Sequence, residues 1–304
     1  MKHGVLVGFL LLAILCALPF GVDAYWLRLG TTMLMYGVLA MSWNFIGGMA
    51  GYPSFASAAF FGLGAYAGAV AQKFGLSMLL AWSLAGASAA LFAAALGFAL
   101  LRLRGHYFAI ASLVVAEVLR EIVNSATNLT GGGMGLNLPV PQMASIADQA
   151  KFFYYAMLGV AALAFSAVLV TQRSRLGFGL RCIRQNESAA DMLGVNTTLY
   201  KVNAFILSGV FVGIAGAVYA SWVHYIEPPD VFDVLYSIKP IVMVLLGGAG
   251  TLFGPLIGAA LFLSLEELVW RNYISVHTGV LGLLIVLLVL FLPKGILAFR
   301  LRRT

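Results

Sequence analysis

Charge is scarce in this chain. Of its 304 residues only 10% are Asp, Glu, Lys or Arg, where soluble domains carry about 25%. Acidic groups are the scarcer sign, 11 against 18 basic ones. Cysteine and histidine are nearly absent, at two and four residues. Cys16 lies in an apolar run and Cys182 in a basic stretch. A disulfide between such different depths is not expected, and neither thiol has the neighbours of a metal ligand. His3, His106, His224 and His277 are scattered and form no H-E-x-x-H, so that metal-site design is excluded. No G-x-x-x-x-G-K-[ST] occurs. Without that phosphate cradle the chain is not expected to hydrolyse ATP, and no cofactor or metal is expected in it.

What fills the chain instead is apolar. Hydrophobic residues make up 62% and mean hydropathy is +0.98. Apolar runs of about 20 residues recur along it, and a helix of that length crosses a bilayer's hydrocarbon core. The runs do not alternate polar and apolar residues, as the strands of a membrane barrel do. The expected fold is an all-α polytopic membrane protein, one transmembrane domain over residues 1–304.

The runs are Val5–Gly21, Trp26–Ile46, Ser54–Gln72, Met78–Leu101, Tyr107–Asn124, Phe152–Val170, Val202–Val223, Pro240–Gly248, Phe253–Val269 and Val280–Leu292. They predict about ten passes, with the pair from Pro240 to Val269 either crossing or re-entering. The first residues resemble a signal peptide ending at Val22-Asp23-Ala24. Their apolar core is long for one, and retention as a first transmembrane helix is expected.

A net charge of +7 raises nucleic acid as a partner. Excess Lys and Arg on cytoplasmic loops accounts for it better, and no nucleic acid is expected. With an inside amino terminus, Lys2, Arg102, Arg104, Arg173, Arg175, Arg181, Arg184, Lys201, Lys294, Arg300, Arg302 and Arg303 fall inside. Arg28, Lys73, Lys151, Lys239 and Arg271 fall outside, and Arg120 within a span. Both termini are therefore placed in the cytoplasm.

Residues 174–201 form the long polar interruption in this apolar chain. Arg181, Arg184, Ser188 and Asp191 are spaced about a turn apart, and Ala189, Ala190 and Leu193 give a small apolar patch. Gly194 suits a helix C-terminus, and Thr197 or Thr198 suits the cap of the next helix. The stretch reads either as a docking helix under the membrane or as a plain positive loop.

Four stretches carry a family resemblance: "CIRQNESAADMLGVN" from Cys182, "GYPSFASAAFFGLGAYAGA" from Gly51, "LRLRGHYFAIASLVVAEVLREIV" with "NLTGGGMGL" from Leu101, and "VMVLLGGAGTLFGPLIGAALF" from Val242. In this order they resemble ABC importer permeases of the branched-chain amino-acid family, LivM type. The resemblance implies a bacterial inner-membrane permease subunit with a small-molecule solute and no ATPase activity of its own. Its implied partners are a second homologous permease, two cytoplasmic ATPase subunits that bind ATP and Mg, and a periplasmic substrate-binding protein. It also implies that Arg181, Arg184, Glu187, Ala189, Ala190 and Gly194 couple to an ATPase. The wider superfamily writes this loop as E-A-A, three residues, G. Ala189, Ala190 and Gly194 match, but Glu187 stands one position early, so that motif's salt bridge is not carried over to it.

Thirty-four residues are glycine. Gly250, Gly254 and Gly258, Gly64 with Gly68, and Gly209 with Gly213 have the four-residue step of close helix packing. Two places go further. Gly47, Gly48, Gly51 and Pro53, then Gly247, Gly248, Gly250, Gly254 and Pro255, interrupt apolar runs. Such breaks read as unwound helices beside a translocation path or as tight cytoplasmic turns. Glu117, Arg120, Glu121 and Asn124 share one face of their run. Buried charges there must pair or face the bundle interior or water, so they read as a structural pair or a polar path lining. The competing functions are a stand-alone secondary transporter or channel, which needs several intramembrane carboxylates, and an intramembrane enzyme, for which the residues are missing.

Overall fold

Glycine and proline positions set where the helices stop. The computed structural model describes residues 12–103, 105–140 and 145–272, with Gly8, Gly279, Gly282, Val286, Gly295 and Ile296 in addition. Most of the expected span 280–292 lies outside the described residues. The helices are α1 Ala24–Trp43, α2 Ser57–Lys73, α3 Met78–Leu100, α4 His106–Ser125, α5 Ile146–Arg173, α6 Arg175–Gln185, α7 Glu187–Met192, α8 Thr197–Val223, α9 Leu235–Gly247 and α10 Gly254–Asn272. A π-helical turn, Asn44–Met49, extends α1.

Among the described residues four helices are long and apolar enough to cross a membrane: Ala24–Met49, Met78–Leu100, Ile146–Arg173 and Thr197–Val223. The other expected spans fall short for visible reasons. α2 has 17 residues and α9 has 13, below the roughly 20 a bilayer core needs. α4 carries Glu117, Arg120 and Glu121.

Two three-helix units interlock. α8 lies along α2 in the same direction, with Gly64 against Gly213 and Gly68 against Ala217. It lies against α3 in the opposite direction, with Gly209 at Ala93 and Gly213 at Ala89. α1 repeats this arrangement with the other unit. It runs with α9, Tyr36 stacking on Tyr236 at 6.0 Å, and against α10, Gly37 meeting Leu256 and Tyr25 bonding Glu267. Thus α1–α2–α3 and α8–α9–α10 each lend their first helix to the other unit. Phe45 and Phe211 stack at 6.5 Å where α1 meets α8. Transporters commonly contain interrupted helices of this kind.

The two short helices begin beside each other. Ser237 Oγ donates to the Phe55 carbonyl at 2.6 Å and accepts from Ala58 N at 2.9 Å. One buried hydroxyl therefore satisfies groups at the start of α2 from within α9.

At the far end of α8 the long loops are tied together. β1, Leu136–Asn137, pairs antiparallel with β2, Tyr225–Ile226, and Leu138 N donates to the His224 carbonyl at 2.8 Å. His224 caps α8 in the left-handed conformation (φ 61°) and its Nε2 meets Gln149. Its Nδ1 is buried without a partner, and burial pushes its pKa below the ordinary histidine value. The neutral ring is favoured in the fold, so its contribution is present above the usual histidine pKa of about 6.5 and is lost as pH falls. Thermal unfolding in detergent is expected to show lower stability at pH 5 than at pH 7.5. His224→Asn tolerates the left-handed backbone and is expected to remove part of that drop.

Candidate functional site

Residues 174–201 do not form one helix. Asn186 leaves helical geometry (φ −162°, ψ 109°) and its Oδ1 accepts from Ala189 N at 3.0 Å. It thereby ends α6 and caps α7, a short polar side chain competing with the helix backbone. Arg181, Arg184, Ser188 and Asp191 consequently do not share a continuous helical side, which corrects the expectation from their spacing. Gly194 ends α7 in the left-handed region (φ 84°), its N–H donating to Asp191 O at 2.9 Å, as expected. The cap of α8 is Asn196, accepting from Leu199 N at 3.1 Å, rather than Thr197 or Thr198.

The bracket formed by α6 and α7 is held by a buried cation. Lys201, on the first turn of α8, is 3% exposed. Its Nζ reaches Glu187 Oε1 at 2.7 Å, the Leu101 carbonyl at 3.0 Å and Tyr52 Oη at 3.1 Å. It also lies 4.7 Å from the centre of the Tyr52 ring. Tyr52 Oη donates in turn to Glu187 Oε2. Glu187 thus has a salt bridge within the chain, to a partner that the motif comparison did not supply. The same network joins α7, α8, the end of α3 and the stretch after the π turn.

Arg184 does a second job. Its guanidinium donates to the Gly48 carbonyl, and its side chain packs 3.1 Å from where a Cβ on Gly51 would stand. The same guanidinium lies 2.8 Å from the corresponding position on Gly250. Asn44 ties the two breaks directly: its Oδ1 accepts from Gly250 N at 2.8 Å and its Nδ2 donates to Thr251 O at 3.1 Å. Gln172 of α5 adds a bond to the Gly250 carbonyl at 3.2 Å. The two glycine-rich interruptions, far apart in sequence, are therefore one junction under Arg184. Glycine is required there. A Cβ on Gly48 would stand 1.8 Å from Asn44 Oδ1, and one on Gly247 1.8 Å from the Gly254 carbonyl. Gly51, Gly248 and Gly250 have positive φ. Pro53 lies between the π turn and α2, and Pro255 follows the first residue of α10, where its missing N–H has no helical acceptor to serve.

The outward surface of the bracket differs from the expected patch. Ala190 is 2% exposed and packs inward, while Met192 and Leu193 stand 82% and 83% exposed. Ala189 is half-buried and Arg181 is exposed, bonding Gln172 O at 3.3 Å.

The α4 charges form the expected pair, Arg120 Nη2 to Glu117 Oε2 at 2.8 Å. They face out of this chain, 40% and 57% exposed, with Glu121 exposed beside them. They do not face the interior of this chain's own helix bundle. Lys239 was expected on an outer loop. It lies within α9 and pairs with Glu266 of α10 at 2.6 Å. Among the described residues no group of three metal-ligating side chains occurs.

Residues 25–292 match the family described as branched-chain amino acid transport system / permease component. The chain is 29% identical to the high-affinity branched-chain amino acid transport system permease protein LivM of Escherichia coli (strain K12), over 96% of this chain and 74% of the relative. LivM of Salmonella typhimurium (strain LT2) is also 29% identical, over 94% and 73%. The permease protein LivH of Escherichia coli (strain K12) matches 41% of this chain and 40% of its own length at 29% identity. No solved structure matches this chain. The family match across most of its length places this chain in the family of branched-chain amino acid transport system permease components.

Proposed function

We propose that this chain is the transmembrane permease subunit of an ATP-driven importer for branched-chain or related amino acids. It supplies half of the path through a bacterial inner membrane, crossing in about ten passes with both termini in the cytoplasm. A second homologous permease completes the path, two cytoplasmic ATPase subunits hold ATP and its magnesium ion, and a periplasmic binding protein delivers the solute. The relatives' names supply the solute class.

One observation carries the mechanical part. A single side chain, Arg184, leaves the bracket and contacts both helix breaks. A push on α6 and α7 therefore reaches α1, α9 and α10 at once. Met192 and Leu193 present the apolar surface that receives the push. Lys201 and Glu187 keep the bracket rigid against α8, so that force moves helices instead of bending the loop. Nucleotide binding in the ATPases and solute on the other side then bias alternate arrangements of the same helices.

The test separates receiving force from relaying it. In proteoliposomes containing the whole transporter, Met192→Glu/Leu193→Glu is expected to lose co-purifying ATPase. Arg184→Ala is expected to keep the ATPase but cut uptake per ATP by about tenfold. Wild-type uptake by both variants would overturn the coupling role.

A further inference from the structure

The Lys239–Glu266 pair belongs to neither the bracket nor the glycine junction. At 1.5 Å per residue Lys239 stands about 12 Å along α9 from Gly247, and Glu266 about 18 Å along α10 from Gly254. Gly247 and Gly254 touch, so the pair lies two to three turns along both helices from the glycine junction. Neither side chain is sealed, at 16% and 22% exposed. Ionisable groups between apolar helices are costly and face water or protein. For stability alone, a well-packed apolar pair would serve as well or better.

The pair is also chemically unfinished. Glu266 Oε1 takes the lysine, whereas Oε2 is buried and has no hydrogen-bond partner. Pro240 follows Lys239 inside α9 and has no N–H to give the Tyr236 carbonyl one turn back. Glu266 thus keeps one idle acceptor beside a cation that has three donors. The wall next to them is aromatic. Lys239 lies 5.3 Å from the centre of the Tyr36 ring, Tyr36 stacks on Tyr236 at 6.0 Å, and Tyr236 stacks on Phe61 at 4.1 Å.

We propose that Lys239 and Glu266 form a binding site for a zwitterion, a ligand carrying a carboxylate and a primary ammonium on neighbouring atoms, with an apolar remainder against Tyr36 and Tyr236. The observed contact is the closed form. The ligand's carboxylate replaces Glu266 on Lys239, and its ammonium replaces Lys239 on Glu266, using the idle Oε2. One ion pair becomes two, with no net charge added to the membrane interior. Rebinding of Lys239 to Glu266 then displaces the ligand. This inference rests on the importer reading above and names where in the path the solute is held.

The test uses the complete transporter in proteoliposomes, with radiolabelled leucine as probe. Lys239→Met/Glu266→Met replaces the pair with apolar side chains, and Lys239→Glu/Glu266→Lys reverses it. Both are expected to lower leucine uptake by about tenfold or more, as lost hydrogen bonds to charged groups do. Both are expected to leave the unfolding temperature within a few degrees of wild type, since apolar replacement of such a pair is close to neutral for stability. Full uptake by the methionine pair overturns the proposal, because the charges are then dispensable. Full uptake by the reversed pair with loss in the methionine pair also overturns it, because an ion pair of either polarity then serves as a clamp. A wild-type complex that moves no leucine sinks the importer reading itself, a separate failure.

Discussion

Lys201→Met is expected to destabilise the subunit by about 3–5 kcal/mol, the usual cost of removing one partner from a buried ion pair. The lysine is 3% exposed and satisfies Glu187, Tyr52 and the Leu101 carbonyl together. Methionine has nearly the same shape but none of the lysine's donors, so the bonds to Glu187, Tyr52 and the Leu101 carbonyl are lost. Glu187→Gln added to Lys201→Met removes the charge that the lysine faced and is expected to recover about half of the loss. Thermal unfolding of the purified subunit in detergent measures both. A single variant as stable as wild type would show that the bracket is held by something else. The same pair of variants also bears on coupling, since a loosened α7 transmits less force even at temperatures where the fold survives.

The second large effect lies in the glycine contacts. Gly64→Leu is expected to cost about 3 kcal/mol or more, at the upper end for overpacking, because the helices have nowhere to move. A Cβ there would stand 2.1 Å from the Gly213 carbonyl, which is backbone and cannot rotate away. α8 is also held by Ala89 and Ala93 of α3, which itself packs on α2, so a shift of α8 away from Gly64 breaks the α3 contacts as well. Gly159→Leu in α5 is the control, since nothing lies within 4 Å of its Cβ position. Size-exclusion profiles in detergent should show a folded peak for Gly159→Leu and aggregate for Gly64→Leu.

Much of the helix layout was legible from composition and the placement of apolar runs. Long runs such as Val202–Val223 announce themselves because a bilayer leaves few other solutions. The breaks at Gly47–Gly51 and Gly247–Gly250 were legible too, since glycine and proline act locally. That the two breaks touch was not. Asn44 reaches Gly250 across 206 positions, and no local pattern encodes that distance.

Asn186 had a readable signal, a capping residue ahead of Glu187, which the one-turn spacing of Arg181, Arg184, Ser188 and Asp191 masked. Charge counting set Lys239 outside the apolar runs and so gave it no place in a helix. Its partner lies 27 residues later in another helix, so the pair is invisible until α9 and α10 are side by side. Ala190 was read as surface because small residues suit a docking face, yet small residues equally suit a buried contact. Only the direction of its Cβ decides.

The exchange of first helices between the two units has a consequence for how the protein is made. Tyr25 finds Glu267 only after 242 further positions have been synthesised, and Asn44 finds Gly250 after 206. At roughly 5–20 residues per second, Asn44 waits about 10–40 s for Gly250. During that interval the nascent chain holds a polar amide among lipids with its eventual neighbour still on the ribosome. Assembly of this subunit must therefore finish late, and a chain truncated before α9 leaves its earliest helix without the companions it was shaped to meet.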